Sequence, residues 1–238
     1  MTDETDQYMV TLNVALRDEV ARSEFSDVVG EMKRGENPLR LVVKSYSRHD
    51  TVASALIARA NPPLACRSGC SYCCYYNVTA PAWEVLAIAN YVLNAFSADR
   101  REALLSEARA FAAKARALTA DGRKAANMKC PFLENSQCSI YPVRPRACRN
   151  HHASDVEGCI YSFENPEGPS APNTYDESVF SAGKGFVEAF AFAMQQAGFD
   201  SRGYELITAF LEAMSSAPSQ KRFAKKKRTF TLAIVDSG

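Results

Sequence analysis

The sequence lacks several features that would place it in a well-known class of protein. It has no run of about 18 consecutive apolar residues, so no membrane-spanning helix is expected. Its opening residues, MTDETDQYMV, are acidic and contain no apolar stretch, so no secretory signal is expected there either. A phosphate-binding glycine loop, GxSxG and HExxH are also missing, which leaves nucleotide and hydrolase chemistry unsupported. These absences predict a cytoplasmic protein that does not bind membranes.

The chain also lacks a strong charge of either sign. Its 238 residues include 28 Lys and Arg against 27 Asp and Glu, and 47% of them are hydrophobic. A chain of this size and composition buries an ordinary core without cross-links. One local exception is KRFAKKKR at 221–228, with six positive charges in eight positions. A short run of this kind is usually solvated, so nucleic-acid binding is not the expected function.

The apolar residues mostly recur at helical spacing, which predicts a mainly α fold in a single domain over 1–238. Pro81 suits the start of one helix, Ser97 suits the cap of the next, and Gly198 suits a helix end. Tyr8 to Val14 alternates enough to form a short strand instead of helix. The predicted helices cover about 12–32, 39–60, 81–96, 97–118, 176–197 and 201–215.

Residues 127–150 interrupt the helical pattern and predict a small β-hairpin with its turn at Glu134-Asn-Ser-Gln137. Pro145 then opens a short helix that places Cys148 in its first turn. The alternating segment 229–235 predicts a terminal strand that pairs with this hairpin. The domain is therefore expected to be helical, with a cysteine-rich metal-binding insert at about 64–160 and a basic tail at 219–238.

Clustered cysteines are the main feature that the sequence does contain. All eight lie between residues 66 and 159, so residues 1–65 and 160–238 contain none. In a cytoplasmic protein such clusters favour metal binding over disulfides. Thiolates suit zinc, iron and iron–sulfur clusters equally, so the metal stays open. The two groups of cysteines are Cys66, Cys70, Cys73 and Cys74, followed by Cys130, Cys138, Cys148 and Cys159.

The adjacent pair Cys73-Cys74 leaves three interpretations open. Neighbouring side chains on an extended chain point to opposite faces, so the two thiols either serve different metals or include one packed, apolar cysteine. A turn at this point would instead bring both thiols to one site. His151 or His152 is a further candidate that could replace a sulfur ligand, although a solvent-facing role is more common for histidine.

Charged and aromatic residues near the cysteines have two interpretations each. Arginines close to Cys148 would favour its thiolate form and offset the negative charge of a four-thiolate site, or they are ordinary surface residues. Tyrosines around the first group either screen a metal from water or simply pack. The residues concerned are Arg144, Arg146 and Arg149, and Tyr72, Tyr75 and Tyr76.

These motifs together resemble a known family. The first group, followed by Cys130-Pro-Phe-Leu and by CSIYPVRPRAC at 138–148, resembles the CxxCxxCC cysteine-cluster proteins, the YkgJ-like zinc- or iron-chelating domains. Cys66 and Cys70 are separated by three residues, where the family usually has two. The resemblance covers about 64–150, so Cys159 lies outside it and is expected to be a packed or spare thiol. It implies metal ligands among Cys66, Cys70, Cys73, Cys74, Cys130, Cys138 and Cys148.

Two functions from different classes follow. The first is a metal-binding protein that chelates zinc or iron through thiolates from two separated motifs. The second is a metal- or iron–sulfur-dependent enzyme that modifies a protein or a small molecule, because a similar cluster occurs in flagellin lysine methylases. A closed shell of four cysteines would favour the first, and a ligand vacancy beside a pocket would favour the second. The first is preferred, since the sequence contains no separate acid–base constellation.

Overall fold

The structure is a computed structural model that describes residues 12–168, 175–215 and 217–235. Within these ranges the fold is mainly α, as the sequence predicts. Short 3-10 turns at Tyr72–Tyr75 and Tyr141–Val143 flank the cysteine-rich part. The helices are α1 (Val14–Lys33), α2 (Pro38–Ile57), α3 (Ala82–Ala95), α4 (Ala98–Ala117), α5 (Ala120–Ala125), α6 (Arg146–Arg149), α7 (Val156–Glu164), α8 (Glu177–Gln196), α9 (Leu206–Ser215) and α10 (Ala217–Ala224).

Local signals in the sequence set the helix boundaries. The Asn37 side chain accepts a hydrogen bond from the Leu39 amide (2.9 Å) at the start of α2, and Pro38 fills the first helical position. Ser97 caps α4 in the same way, as expected. Gly198 ends α8 with a φ of +83°, a conformation that glycine adopts without strain.

The core is built around α3, which is buried over most of its length. Helix α2 packs on α3 and on α8, α1 lies along α8, and α9 packs on both α3 and α4. Aromatic rings fill the space between these helices, with Trp83 tilted 6.2 Å from Phe190 and Phe132 edge-on at 4.9 Å from Phe210. Among the described residues, no helix is long and apolar enough to cross a membrane.

Two small antiparallel pairs complete the described fold. The predicted hairpin is confirmed: β2 (Leu133–Glu134) pairs with β3 (Gln137–Cys138). A second pair, which the sequence did not reveal, joins β1 (Thr79–Pro81) to β4 (Gly203–Glu205). These strands are three residues long and lie directly before α3 and α9. The β1–β4 pair therefore aligns the starts of the two helices.

The prediction that segment 229–235 pairs with the hairpin is wrong. The segment runs beside β4 instead, where the Glu205 amide donates to the Ile234 carbonyl (2.9 Å). Phe230 is fully buried, edge-on to the Tyr204 ring at 5.1 Å. The Glu212 carboxylate of α9 also accepts hydrogen bonds from the amides of 231–233, at 2.7 to 3.0 Å. Aromatic burial and this carboxylate fix the segment against α9.

The predicted first helix is present, and the basic run is partly helical. Val14 begins α1, so helix replaces the alternative strand there, while residues 8–11 lie outside the described ranges. The start of the basic run lies in α10, where Arg222 donates to Glu212 (2.7 Å) and to the Thr229 carbonyl (2.7 Å). Phe223 in the same helix is buried. Part of the basic run is therefore integral to the fold.

A buried ion pair connects the short helix α6 to the core. Arg146 donates from Nη1 to Glu84 Oε1 (2.6 Å) and from its amide to Oε2 (3.1 Å). Its Nη2 donates to Ser45 Oγ on α2 (2.6 Å), and the guanidinium lies 4.2 Å from the centre of the Phe190 ring on α8. Glu84 belongs to α3, so one arginine joins α6 to three long helices.

We expect Glu84→Gln to lower the free energy of unfolding by about 3–5 kcal/mol, because the buried Arg146 loses its counter-charge. Denaturant unfolding followed by circular dichroism measures the change. Asp121→Asn is the matched control, since Asp121 is 95% exposed beside Lys124 and its loss should change stability by less than about 0.5 kcal/mol. Equal effects of the two substitutions would contradict the anchoring role of the pair.

Candidate metal centre

The first four cysteines lie on a compact loop. The Cys70 amide donates to the Arg67 carbonyl (3.0 Å), and Gly69 between them has a φ of +89°, which favours glycine. The chain then forms the 3-10 turn Tyr72–Tyr75, with the Cys74 amide bonded to the Ser71 carbonyl (2.9 Å). A tight turn thus replaces the extended backbone that would separate neighbouring thiols.

The adjacent thiols of Cys73 and Cys74 interact with each other. A hydrogen bond between them is the main reason that the pKa of Cys73 lies far above its ordinary value, followed by burial. The turn therefore brings both side chains to the same region, the third of the interpretations that the sequence left open. Neither residue is fully buried as a packed, apolar cysteine would be.

The two groups of cysteines meet in space. The Cys130 amide donates to the Cys74 carbonyl (2.8 Å), which joins the first loop to the chain before the hairpin. Gln137 in β3 adds a contact from Nε2 to Ser68 Oγ (3.3 Å). Three helices, α3, α4 and α5, separate these segments in sequence. The contact is thus made by the fold rather than by sequence proximity.

The segment after α6 closes the other side of the loop. The Ala65 amide donates to the Ala153 carbonyl (2.8 Å), and the Ala153 amide donates to Cys66 Sγ (3.3 Å). Cys66 is exposed, whereas Cys148 in α6 and Cys138 in β3 are half-buried. The candidate centre therefore lies between three segments of chain, and its Cys66 side faces solvent.

A negative charge on one thiol changes the pKa of other thiols, including thiols of the other group. A thiolate at Cys73 raises the pKa of both Cys138 and Cys148, and one at Cys148 or Cys138 raises the pKa of Cys130. Such effects require proximity, because charge interactions weaken with distance and screening. Cys73 thus interacts with Cys138 and Cys148 across the two groups, and these two interact with Cys130 within the second group.

Burial keeps these thiols protonated in the absence of a metal. It is the leading cause of the raised pKa at Cys138 and Cys130, and it raises that of Cys148 to about 12. A buried thiolate is costly because the low-dielectric surroundings replace water. A bound cation would remove this cost, since metal ligation deprotonates a thiol.

One of the three arginines faces the thiols. The positive charge of Arg144 lowers the pKa of Cys73, Cys138 and Cys148, and its guanidinium stacks 3.7 Å from the centre of the Tyr141 ring. Arg146 instead pairs with Glu84, and Arg149 pairs with Asp50. The expected electrostatic role therefore falls mainly to Arg144.

His151 and His152 lie at the edge of this region. The His151 ring is edge-on to Tyr76 at 5.7 Å and to Tyr175 at 6.1 Å, and burial lowers its pKa. Burial also lowers the pKa of His152 to about 4, with a contribution from the charge of Arg144. Both imidazoles are neutral at physiological pH, which metal ligation by histidine requires.

Cys159 is closer to the centre than its position outside the motif suggested. It lies buried in α7, and its pKa rises to about 11 through burial first and then through the charges of Cys66, Cys70 and Cys73. Phe163, one turn further along α7, packs edge-on against Tyr72 at 5.7 Å and Tyr75 at 4.9 Å. The sequence signal for this proximity is that Cys159 falls in the same span as the other cysteines.

Comparison with known proteins supports a metal-binding domain. Residues 65–171 match the family model CxxCxxCC, whose description reads "Putative zinc- or iron-chelating domain". The match covers the cysteine-rich part of the chain, the same part that the motifs in the sequence relate to this family. Neither a curated protein nor a solved structure matches the chain significantly.

The donor set fits the metals that this description names. Thiols are the soft ligands that zinc and iron accept, and the fold collects them from both motifs. Among the described residues, no three His, Cys, Asp or Glu side chains are grouped closely enough to hold an ion as they stand. Ligation would therefore draw neighbouring thiols closer together.

The raised pKa values predict that the metal-free, reduced chain loses stability at alkaline pH. Above about pH 8.5 the thiols of the unfolded chain ionise while Cys148 stays protonated up to about 12, so the folded state binds more protons and unfolding becomes easier. Between pH 7.5 and 9.5, we expect the free energy of unfolding to fall by about 1 kcal/mol less in Cys148→Ser than in the unchanged chain. Denaturant unfolding at both pH values measures this difference. An equal loss of stability in the variant would contradict the raised pKa of Cys148.

Proposed function

We propose that this protein chelates zinc or iron through thiolates from both cysteine motifs. The observation that carries the proposal is the contact between Cys74 and Cys130, which brings two distant motifs together at 2.8 Å. We also propose a cytoplasmic location, where clustered cysteines favour metal binding over disulfides. The proposed ligands come from Cys66, Cys70, Cys73, Cys74, Cys130, Cys138 and Cys148.

Within this set, Cys73, Cys130, Cys138 and Cys148 are the four ligands that we favour for a shared ion. Their mutual effects on pKa support this choice, and four thiolates complete a tetrahedral shell. Arg144 supports the same centre, because a cation nearby offsets the net negative charge of an ion held by four thiolates. Cys66 and Cys70 lie at the more exposed side of the loop, where a second ion or a cluster would extend the site.

Single cysteine-to-serine changes test the ligand assignment. Serine keeps the size of the side chain but is a poor ligand for soft metals, so we expect Cys73→Ser and Cys148→Ser each to lose most of the bound metal. Elemental analysis of anaerobically purified protein measures metal per chain, and its absorption spectrum separates iron–sulfur from zinc.

Cys159→Ser is the comparison variant, because Cys159 lies outside the proposed shared shell while its thiol is also buried. It should keep the metal that the four favoured thiols bind. Full retention of metal in the Cys130, Cys138 and Cys148 variants would refute the spanning site and confine ligation to residues 66–74.

Metal removal should destabilise the folded chain, since ligation would close the long connection between the two motifs. We expect a strong chelator under reducing conditions to lower the melting temperature by roughly 10 °C, the effect of a ligand at a large excess over its Kd. Differential scanning calorimetry with metal analysis of each sample measures the shift. Cys148→Ser should show little response to the chelator, and an unchanged melting temperature after confirmed metal loss would exclude a clamp.

A further inference from the structure

A cleft of about 340 Å³ lies on the side of α6 that carries Ala147 and Asn150. The start of α3 and one face of α8 form its other walls. This volume is in the range of small-molecule sites, about 300–1,000 Å³. None of the proposed cysteine ligands lines it, although His151, at the edge of the thiol region, does, so the cleft adjoins the thiol centre without including its thiols.

Aromatic side chains give the cleft flat, apolar walls. Tyr175, which precedes α8, and Phe180 of α8 are half-buried at its surface, whereas Trp83 and Phe190 are buried at its base. Tyr175 and Phe180 are themselves in contact, with ring centres 5.3 Å apart. Walls of this kind fit a planar ring, because aromatic rings gain from stacked and edge-on contacts as well as from burial.

The charge balance of the lining favours an anion. Glu84 lines the cleft, but both of its oxygens already accept hydrogen bonds from Arg146. Lys184 contributes a positive charge, and its contact with Glu188 (3.3 Å) is a half-exposed pair between successive helix turns, which a ligand can displace at little cost.

The start of α3 adds to this preference. In the described structure Pro81 occupies the capping position, and no side chain caps the helix there. The amino end of a helix carries a partial positive charge that favours a negative group, and the one acidic side chain of this first turn, Glu84, is bonded to Arg146. Thr79, Pro81 and Trp83 all line the cleft at this end of α3.

The wall between α6 and α8 is preformed. The Asn150 amide group is wedged against α8, with Nδ2 donating to the Phe180 carbonyl (3.4 Å). A Cβ atom added at Gly183 would lie 1.6 Å from Asn150 Oδ1, so only glycine leaves room for this contact. A fixed wall reduces the conformational entropy that the protein loses when a ligand binds.

We infer that this cleft binds a small planar aromatic monoanion, such as an aryl carboxylate, with its ring against Tyr175 and Phe180 and its negative group toward Lys184 and the start of α3. The inference does not depend on the proposed metal function, because its residues are distinct from the thiol ligands.

Three probes of similar shape, each titrated into the full chain with its bound metal, test this inference. Benzoate is the anionic probe, benzyl alcohol the neutral one and benzylamine the cationic one. Trp83 is the sole tryptophan of the chain, so its fluorescence reports on the cleft, and calorimetry gives the affinities. We expect saturable binding of benzoate at millimolar concentration or below, and binding at least tenfold weaker for benzylamine. No saturable benzoate binding, or equal binding of benzylamine, would overturn the inference.

Two variants locate the site. Lys184→Gln should weaken benzoate binding roughly tenfold, because it removes the charged donor. Ala191→Phe should abolish binding by filling the cleft. Lys221→Gln is the matched control, since Lys221 is exposed on α10, and it should bind benzoate like the original chain. If Ala191→Phe does not fold, the Lys184→Gln variant alone tests the site. Equal affinities of Lys184→Gln and Lys221→Gln for benzoate would overturn the assignment of the cleft.

Discussion

The buried pair of Glu84 and Arg146 is the interaction on which the arrangement of both sites depends. Helix α6 has only four residues, too few to be stable alone, and this pair fixes it to α3 while Ser45 fixes it to α2. Cys148 is in this helix, so the pair also sets where the second cysteine motif meets the first. A buried pair is costly to form, and its value here is positional rather than a net gain in stability.

Much of the helical framework could be predicted because its signals are local. Asn37-Pro38 and Ser97 mark helix starts through hydrogen bonds within a few residues, and Gly198 marks an end through its own backbone. The hairpin at 133–138 was predictable for the same reason, since its turn lies between its strands. The mainly α class follows from apolar spacing, which needs no knowledge of distant contacts.

The remaining features depend on partners that are distant in sequence. Arg146 is one of three arginines around Cys148, and only the fold shows that Glu84, 62 positions earlier, takes up its charge and leaves Arg144 to face the thiols. Segment 229–235 has the pattern of a strand, yet the carboxylate of Glu212 binds its amides instead. Cys159 had no motif of its own, and the packing of Phe163 brings it near the first loop.

The hydrophobic core and the thiol centre are stabilised by different interactions. The buried core of α1, α2, α3, α8 and α9 contains no proposed ligand, although Cys130 and Cys138 pack against it, so most of the chain gains its stability from apolar burial. Around the thiols, by contrast, burial opposes the ionised form that a metal requires. A cation would therefore stabilise the cysteine loops far more than the core. The ion pair of Arg146 lies at the boundary between these two parts, where it fixes the position of Cys148 whether or not a metal is bound.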